Sequence, residues 1–424
     1  MLQVEFPMPS ASPVKLRILF ISGHCPHGPT YGAQLRTLHL ARILKLHCEL
    51  GMVLIPFDRI DDLALEKTRL EFDILGVFGF RKASSRSIKL RLRRELDPYC
   101  GETEGIRLKN EDARELDCLI SKFDLIWFQG IAIPNCLGRR NWPQAILDID
   151  DVPSQFFAAR AREAKGWMSR LWMLRRSLLW RRRERVLLER FAIVGVCSER
   201  DRAYLGGDSR IHPIPNGFEN TKVEILRKPT KLLRIGFIGT LRYAPNAEGL
   251  CWFIREVWPK IKIIQPNARL RVVGTDTDTG ISDEDNDIDG MGFLADSAAE
   301  IDTWSMMVVP ILVGGGTRIK IAEAFCRRCP VVSTSLGAYG YSVVDGQELM
   351  LADTPEDFAA ACVGLIHDPS HAQAMADRAR VMYDRELDWN SIAPRVRDAV
   401  DACQRQQSCG GSNSFAPCKK DNSG

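Results

Sequence analysis

The chain has 424 residues, 45% of them hydrophobic and 26% charged, with a net charge of +4; it is too long for one core and is expected to form two sizeable domains. The near-balance of charge argues against a nucleic-acid binder, and an apolar run no longer than Met306 to Val313 rules out a typical spanning helix. Met1 to Pro13 lacks the basic start and apolar core of a signal peptide, so the expected compartment is the cytoplasm and the thirteen cysteines are expected to be reduced.

In chain order, residues 1–14 read as a loose arm. Leu16 to Ser22 (L-R-I-L-F-I-S) has the composition of a buried strand, and a loop with Gly28, Pro29 and Gly32 leads to a helical pattern over Ala33 to Leu46. Leu50–Phe57, Phe123–Gln129, Ala145–Ile149 and Ala192–Ser198 read as further strands, and Ser154 to Phe191 as one long or broken helix. The stretch Ile211 to Phe218 (I-H-P-I-P-N-G-F) holds two prolines and an Asn-Gly turn, which places the domain boundary there. A second series follows, with strands at Leu232–Gly239, Arg269–Gly274, Met306–Leu312, Val331–Thr334 and Leu349–Ala352. Its helices are expected at Asn246–Ile264, after Thr317, at Pro355–Ile366 and at Ser370–Arg385. Strands alternating with helices predict parallel sheets covered on both faces, hence two Rossmann-like domains, 1–215 and 216–387. A last helix, 388–405, is expected to reach back to the first domain, and the polar tail 406–424 to be disordered.

One stretch of the second half carries chemistry, V-G-G-G-T-R-I-K-I-A-E from Val313 to Glu323, directly after a strand. Gly314, Gly315 and Gly316 let the backbone approach a ligand, and Thr317 is placed to cap the following helix. A helix start favours anions, yet Arg318 and Lys320 put cations in the first turn, where an unliganded helix would prefer acids. That inversion points to a phosphate. Glu323, about 9 Å further along the axis, can accept hydrogen bonds from hydroxyls beside it. The plainer reading is a glycine-rich turn with a Lys320–Glu323 surface pair.

The glycine-rich stretch, two Rossmann-like halves and the Pro-Asn-Gly hinge resemble the glycosyltransferase family 4 branch of the GT-B fold. So do F-I-G-T-L-R-Y-A-P-N at Phe237 to Asn246, D-I-D-D-V-P-S at Asp148 to Ser154 and C-S-E-R-D at Cys197 to Asp201. The resemblance covers nearly the whole chain. It implies two domains facing each other across a cleft, with a nucleotide-sugar donor on the second and a carbohydrate or lipid-linked glycan acceptor on the first. It further implies retention of configuration, no metal or other cofactor, and a place in surface polysaccharide assembly. Glu323 matches the second glutamate of the family's E-x7-E motif, which holds the ribose hydroxyls, whereas Gly315 stands where the first would be. The family's Arg and Lys pair after the first strand of the second domain is not matched cleanly, since Gly239 is followed by T-L-R-Y. Arg318 and Lys320 are therefore assigned the diphosphate charge, with Arg242 as a third cation. On the acceptor side, Tyr31 and Gly32 match the family's first loop. Asp150 falls where relatives carry a histidine near the reacting centre, and a strand-end cap is an equally open role for it. A nucleotide-sugar 2-epimerase and a catalytically silent scaffold share the fold and stay open.

Three motifs are read as decoys. Asp148-Ile149-Asp150 has the D-x-D spacing of a metal site, Asp285 to Gly290 starts like a calcium loop, and Cys326-Arg327-Arg328-Cys329 is a lone C-x-x-C. Charge clustering is more informative. Residues 160–190 hold eleven basic and three acidic residues, a local +8, and 81–94 hold seven basic residues and no acid. With Trp167, Trp172 and Trp180, residues 165–191 and 81–94 suit an anionic membrane surface, against the alternative of a solvated helix on the first domain.

Overall fold

The computed structural model describes residues 15–28, 32–57, 59–81, 88–101, 103, 106–220 and 233–409. The expected arm 1–14, Tyr31, the basic residues of 82–87 and the tail from 410 lie outside them. The first domain runs β1 (Arg17–Ser22), α1 (Gly32–His47), β2 (Glu49–Leu54), α2 (Asp62–Glu71), β3 (Asp73–Val77), β4 (Phe80–Arg81), α3 (Ile88–Leu96) and β5 (Arg107–Leu108). It continues with α4 (Asn110–Ile120), β6 (Leu125–Gln129), α5 (Ala132–Cys136), β7 (Trp142–Ile149), α6 (Pro153–Glu163), α7 (Trp167–Arg185), α8 (Leu187–Arg190), β8 (Phe191–Val196), α9 (Glu199–Tyr204) and β9 (Ile211–Pro213). Seven strands form one sheet in the order β3-β2-β1-β6-β7-β8-β9, and β4 pairs separately with β5. All neighbours in the large sheet are parallel. β6 (LIWFQ) is buried at all five positions because helices cover both faces, which is why it reads as a continuous apolar run without alternation.

The second domain holds β10 (Arg234–Ile238), α10 (Ala244–Trp252), α11 (Trp258–Ile264), β11 (Arg269–Val273), α12 (Thr277–Gly280), β12 (Ile288–Gly290), α13 (Ala298–Ile301) and β13 (Met306–Val309). After these come α14 (Ile319–Cys326), β14 (Val331–Ser333), β15 (Met350–Leu351), α15 (Pro355–His367) and α16 (Pro369–Glu386). The order β12-β11-β10-β13-β14-β15 is the doubly wound Rossmann order, with its switch point between β10 and β13. The expected α/β architecture of two Rossmann-like units is therefore present.

Three elements differ from expectation. Ile211–Pro213, inside the stretch read as linker, pairs with β8 as the sheet's edge strand, a position where Pro213 needs no N–H. The single helix expected over 246–264 has a π-turn at Phe253–Val257, because Pro259 cannot donate to the carbonyl four residues back. The long helix over 154–191 breaks at Gly166, whose extended backbone precedes α7.

The chain crosses between domains twice, side by side. Phe218 N–H donates to Leu387 O at 3.0 Å, and Tyr383 Oη–H donates to Phe218 O at 2.9 Å. α17 (Trp389–Cys409) then lies on the first domain and runs one turn past its expected end. Its Trp389, Ile392, Val396 and Cys403 join the core made by α1 and β1, and the His39 ring stacks on Trp389 at 4.7 Å. Since Ile392 is fully buried, Ile392→Ala is expected to destabilise the first domain by about 2–5 kcal/mol, read as an earlier unfolding transition in denaturant titration.

Candidate active site

The glycine-rich loop leaves β13 at the switch point, where ligands of such sheets bind. Arg318, not Thr317, is the helix N-cap residue, and no side chain caps α14. Thr317 Oγ1 is held elsewhere, accepting from Asn216 Nδ2 at 3.0 Å. The helix start therefore stays open to an external anion.

Arg318 is buried, with its backbone pinned by Tyr341 Oη–H, which donates to Arg318 O at 2.8 Å. One guanidinium nitrogen, Nη1, donates to Gly315 O, while Nε and Nη2 have no partner among the described residues. Buried donors without acceptors are costly, so this guanidinium is set for a ligand. Lys320 Nζ donates to Asn246 Oδ1 at 3.0 Å and lies 4.2 Å from the Phe237 ring centre. Asn246 is oriented by its own donation to Thr240 O, and Gly239 leaves room for both, since a Cβ there would stand 2.9 Å from Lys320 Nζ. Burial and then the Arg318 charge lower the Lys320 pKa to about 7.

Glu323 accepts from Ser297 Oγ at 3.0 Å and Arg327 Nε at 3.2 Å, both at Oε1, which leaves Oε2 without a bond from the described residues. Burial raises its pKa. The alternative Lys320–Glu323 surface pair is thus not formed. Arg242 pairs with Asp276, donating from Nε at 2.7 Å, and its side chain is mostly exposed.

The first domain presents the end of β7. Asp148 is fully buried, and both its oxygens are taken by Arg36, through Nη2 at 2.6 Å and Nε at 2.8 Å. The D-x-D spacing therefore does not free Asp148 for a metal, and the described residues hold no cluster of three or more metal-ligating side chains. Burial is the largest single influence and works against the Arg36 charge, but Asp148, Cys197 and Asp150 together carry the pKa upward. Asp150 Oδ1 accepts from Asn216 Nδ2 at 2.9 Å and from Cys197 Sγ at 3.3 Å. Asp151 instead turns to the glycine-rich loop. A Cβ on Gly316 would stand 1.8 Å from Asp151 Oδ1, and Gly316 adopts φ 67°, two reasons for glycine there. Burial, then the Asp150 charge, raise the Asp151 pKa to about 7 against the pull of Arg318. Gly32, opening α1, packs against Ile319 at the start of α14.

The structure thus brings Gly239, Gly314, Gly315, Gly316, Thr317, Arg318 and Lys320 to one wall, with Asp150, Asp151 and Gly32 opposite. Asn216, Asn246, Ser297 and Arg36 belong to the same constellation and escaped sequence reasoning. Asn216 carried a signal as part of the hinge turn, and Asn246 as the end of the motif Phe237 to Asn246. The other decoys are structural: Asp287 pairs with Lys262 and Asp289 with Arg269 and Arg271, while Cys326 and Cys329 are buried core thiols.

Two Rossmann sheets apposed across a cleft, with an open helix start at the switch point of the second, define a GT-B protein. Residues 233–368 match the family described as Glycosyl transferases group 1, so the second domain is a group 1 glycosyltransferase domain. Among solved structures, HepE of Anabaena in complex with UDP is similar over 91% of this chain and all of that one, with a TM-score of 0.62 and 15% identity. Sucrose-phosphate synthase of Thermosynechococcus elongatus is similar over 94% of this chain and all of its own, with a TM-score of 0.62 and 15% identity. WaaG, a glycosyltransferase involved in lipopolysaccharide biosynthesis, is similar over 90% and 99%, at 0.58 and 12%. These likenesses establish the fold. An uncharacterized 44.6 kDa protein of the cps region of Klebsiella pneumoniae is 28% identical over 171 residues, 37% of this chain and 44% of that protein. The chain thus matches less than half the length of that curated relative.

A diphosphate beside Lys320 would raise its pKa, so binding above pH 7 must take up a proton. For a nucleoside diphosphate placed at this helix start, the affinity is expected to fall as pH rises above about 7.5, by up to about tenfold per unit. The nucleotide's terminal phosphate, with a pKa of about 6, is already ionised in that window and does not mask the trend. Calorimetry in buffers of different ionisation heat should show the proton uptake, and Lys320→Met should flatten the slope.

Proposed function

We propose that the protein transfers a sugar from a nucleotide-sugar donor to a carbohydrate or lipid-linked glycan acceptor, with retention of configuration and without a metal, in polysaccharide assembly. The observation that carries this reading is the Arg318 guanidinium, buried beside Lys320 with two donors unused. In this reading the donor's diphosphate lies on the open start of α14, and Arg318 and Lys320 stabilise the charge that develops as the nucleoside diphosphate departs. Fixed cations do this without reorganising during the reaction. The free Glu323 oxygen accepts from the ribose hydroxyls. A phosphate oxygen of the donor takes the acceptor's proton, so no protein base is required. UDP in HepE and the cps region of the Klebsiella relative support the donor class and the setting.

A thermal-shift panel of nucleoside diphosphates and nucleotide sugars tests this. Stabilisation is expected for one base, unchanged by EDTA and reduced in Glu323→Ala by about 1–3 kcal/mol of binding energy, the usual cost of an unpaired buried polar group. Absence of any nucleotide binding would leave the silent-scaffold reading. Donor turnover without acceptor would indicate the epimerase.

We further propose that α3 and α7 rest on an anionic membrane. No described helix is long and apolar enough to cross one. The two helices adjoin, since Arg183 Nη2 donates to Arg94 O at 2.7 Å and Arg182 Nη2 to Leu96 O at 3.2 Å, at the carboxyl end of α3. Ile88, Leu92 and Leu96 on one face of α3, and Trp167, Leu171, Leu174 and Leu178 along α7, are all exposed. On α3 these residues form a stripe flanked by basic residues, whereas on α7 the arginines surround the helix and Trp180 is buried; exposed tryptophan and leucine side chains among so many arginines suit an anionic bilayer. The protein is expected to sediment with phosphatidylserine-containing vesicles, less so in high salt and not with phosphatidylcholine alone. Trp167→Glu combined with Leu92→Glu should abolish this while leaving nucleotide binding intact.

A further inference from the structure

We infer that Asp151 is the carboxylate that holds hydroxyls of the donor's sugar, supplied from the first domain into the space that Gly315 leaves open in the second. The inference rests on the transferase reading above and adds a residue to it. A Cβ placed on Gly315 would lie 3.6 Å from Asp151 Oδ1 and 3.7 Å from Phe156 Cβ. A side chain at 315 would therefore enter the space in which the Asp151 carboxylate already stands. Both positions serve one volume, approached from opposite walls.

Three observations give that carboxylate a ligand rather than a structural partner. Among the described residues Asp151 accepts no hydrogen bond, although its neighbours are well provided for: Asp148 has Arg36, and Asp150 has Asn216 and Cys197. Its carboxylate is mostly withdrawn from solvent, with Oδ1 against the glycine-rich loop. The Arg318 side chain, whose charge acts on Asp151, has two donors unused. A carboxylate is acceptor-only and can bind two vicinal hydroxyls, whereas a phosphate offers it nothing but repulsion. Its ligand must bring hydroxyl donors to the same cleft in which the cations bring phosphate, and a nucleotide sugar does both. Because Asp151 stands on the wall opposite the cations, the sugar is read only when both domains face it. The nucleoside diphosphate alone does not need it.

That asymmetry sets the test. UDP and the nucleotide sugar that stabilises the wild type most are titrated calorimetrically into wild type, Asp151→Ala, Asp151→Asn and the double variant Asp151→Ala with Gly315→Glu. Gly315 lies outside the left-handed region and its Cβ position has ordinary clearance, and Asp151→Ala vacates the space that a glutamate carboxylate at 315 would enter. Asp151→Ala is expected to weaken the nucleotide sugar about tenfold or more while UDP stays within about twofold. Asp151→Asn, which keeps one acceptor, should fall between. Gly315→Glu should restore the affinity lost in Asp151→Ala, by returning a carboxylate from the other wall. An unchanged ratio of the two affinities in Asp151→Ala, a parallel loss of both ligands, or no restoration in the double variant would each overturn the inference and leave the transferase reading standing. A wild type that binds neither ligand would remove both.

Discussion

The Arg36–Asp148 pair is the interaction on which the cleft depends. Both side chains are fully buried, and the guanidinium meets the carboxylate with two parallel hydrogen bonds. Taking two charges out of water is expensive, and a hydrophobic pair could stabilise the core as well. What the ion pair adds is direction. Its third nitrogen, Nη1, donates to Ile214 O and to Asn216 Oδ1, each at 2.9 Å. One side chain on α1 thus ties the end of β7 to the segment through which the chain leaves the first domain.

From that point the geometry propagates by necessity. With its oxygen engaged by Arg36, the Asn216 amide must direct its nitrogen outward, to Asp150 and to Thr317. Thr317 is thereby drawn toward the hinge and withheld from α14, and the helix keeps an uncapped start. Asp150 gives one oxygen, Oδ1, to the hinge, while its neighbour Asp151 faces the glycines. The open anion site in one domain and the open carboxylate in the other therefore follow from how a single amide between them is held.

How much of this was legible follows from which forces are local. The two strand-and-helix series were readable because a strand buried on both faces must be an apolar run, as in L-I-W-F-Q and M-M-V-V. The glycine-rich stretch was readable because its cations break a helix-terminus rule. Arg36 was not, since an arginine in an amphipathic helix usually faces water, and its partner lies 112 residues away. How Asp150 and Asp151 divide between the hinge and the glycine-rich loop was also beyond the pattern. Adjacent residues at a strand end point to opposite sides, and which side meets the cleft depends on the sheet's register. Thr317 misled for a related reason: a long-range donor outcompeted its local capping role. The pairing of Arg242 with Asp276 in the next loop was equally unannounced.

Charge is apportioned between the two walls of the cleft. Lys320 and Asp151 have opposite charge preferences, and burial holds both near a pKa of 7. In the empty cleft, each therefore spends part of its time neutral at physiological pH. A diphosphate against α14 favours the protonated lysine, and hydroxyls against Asp151 favour the ionised acid, because each ligand group pairs with the charged form. The two shifts move protons in opposite directions, so a ligand carrying both groups changes the proton balance little, whereas a diphosphate alone takes a proton up. Burial that would be a liability in a structural ion pair leaves both groups near neutral until a ligand compensates them. The cleft's empty state carries less charge than its residue list suggests, and the ligand completes the pairing that the fold omits.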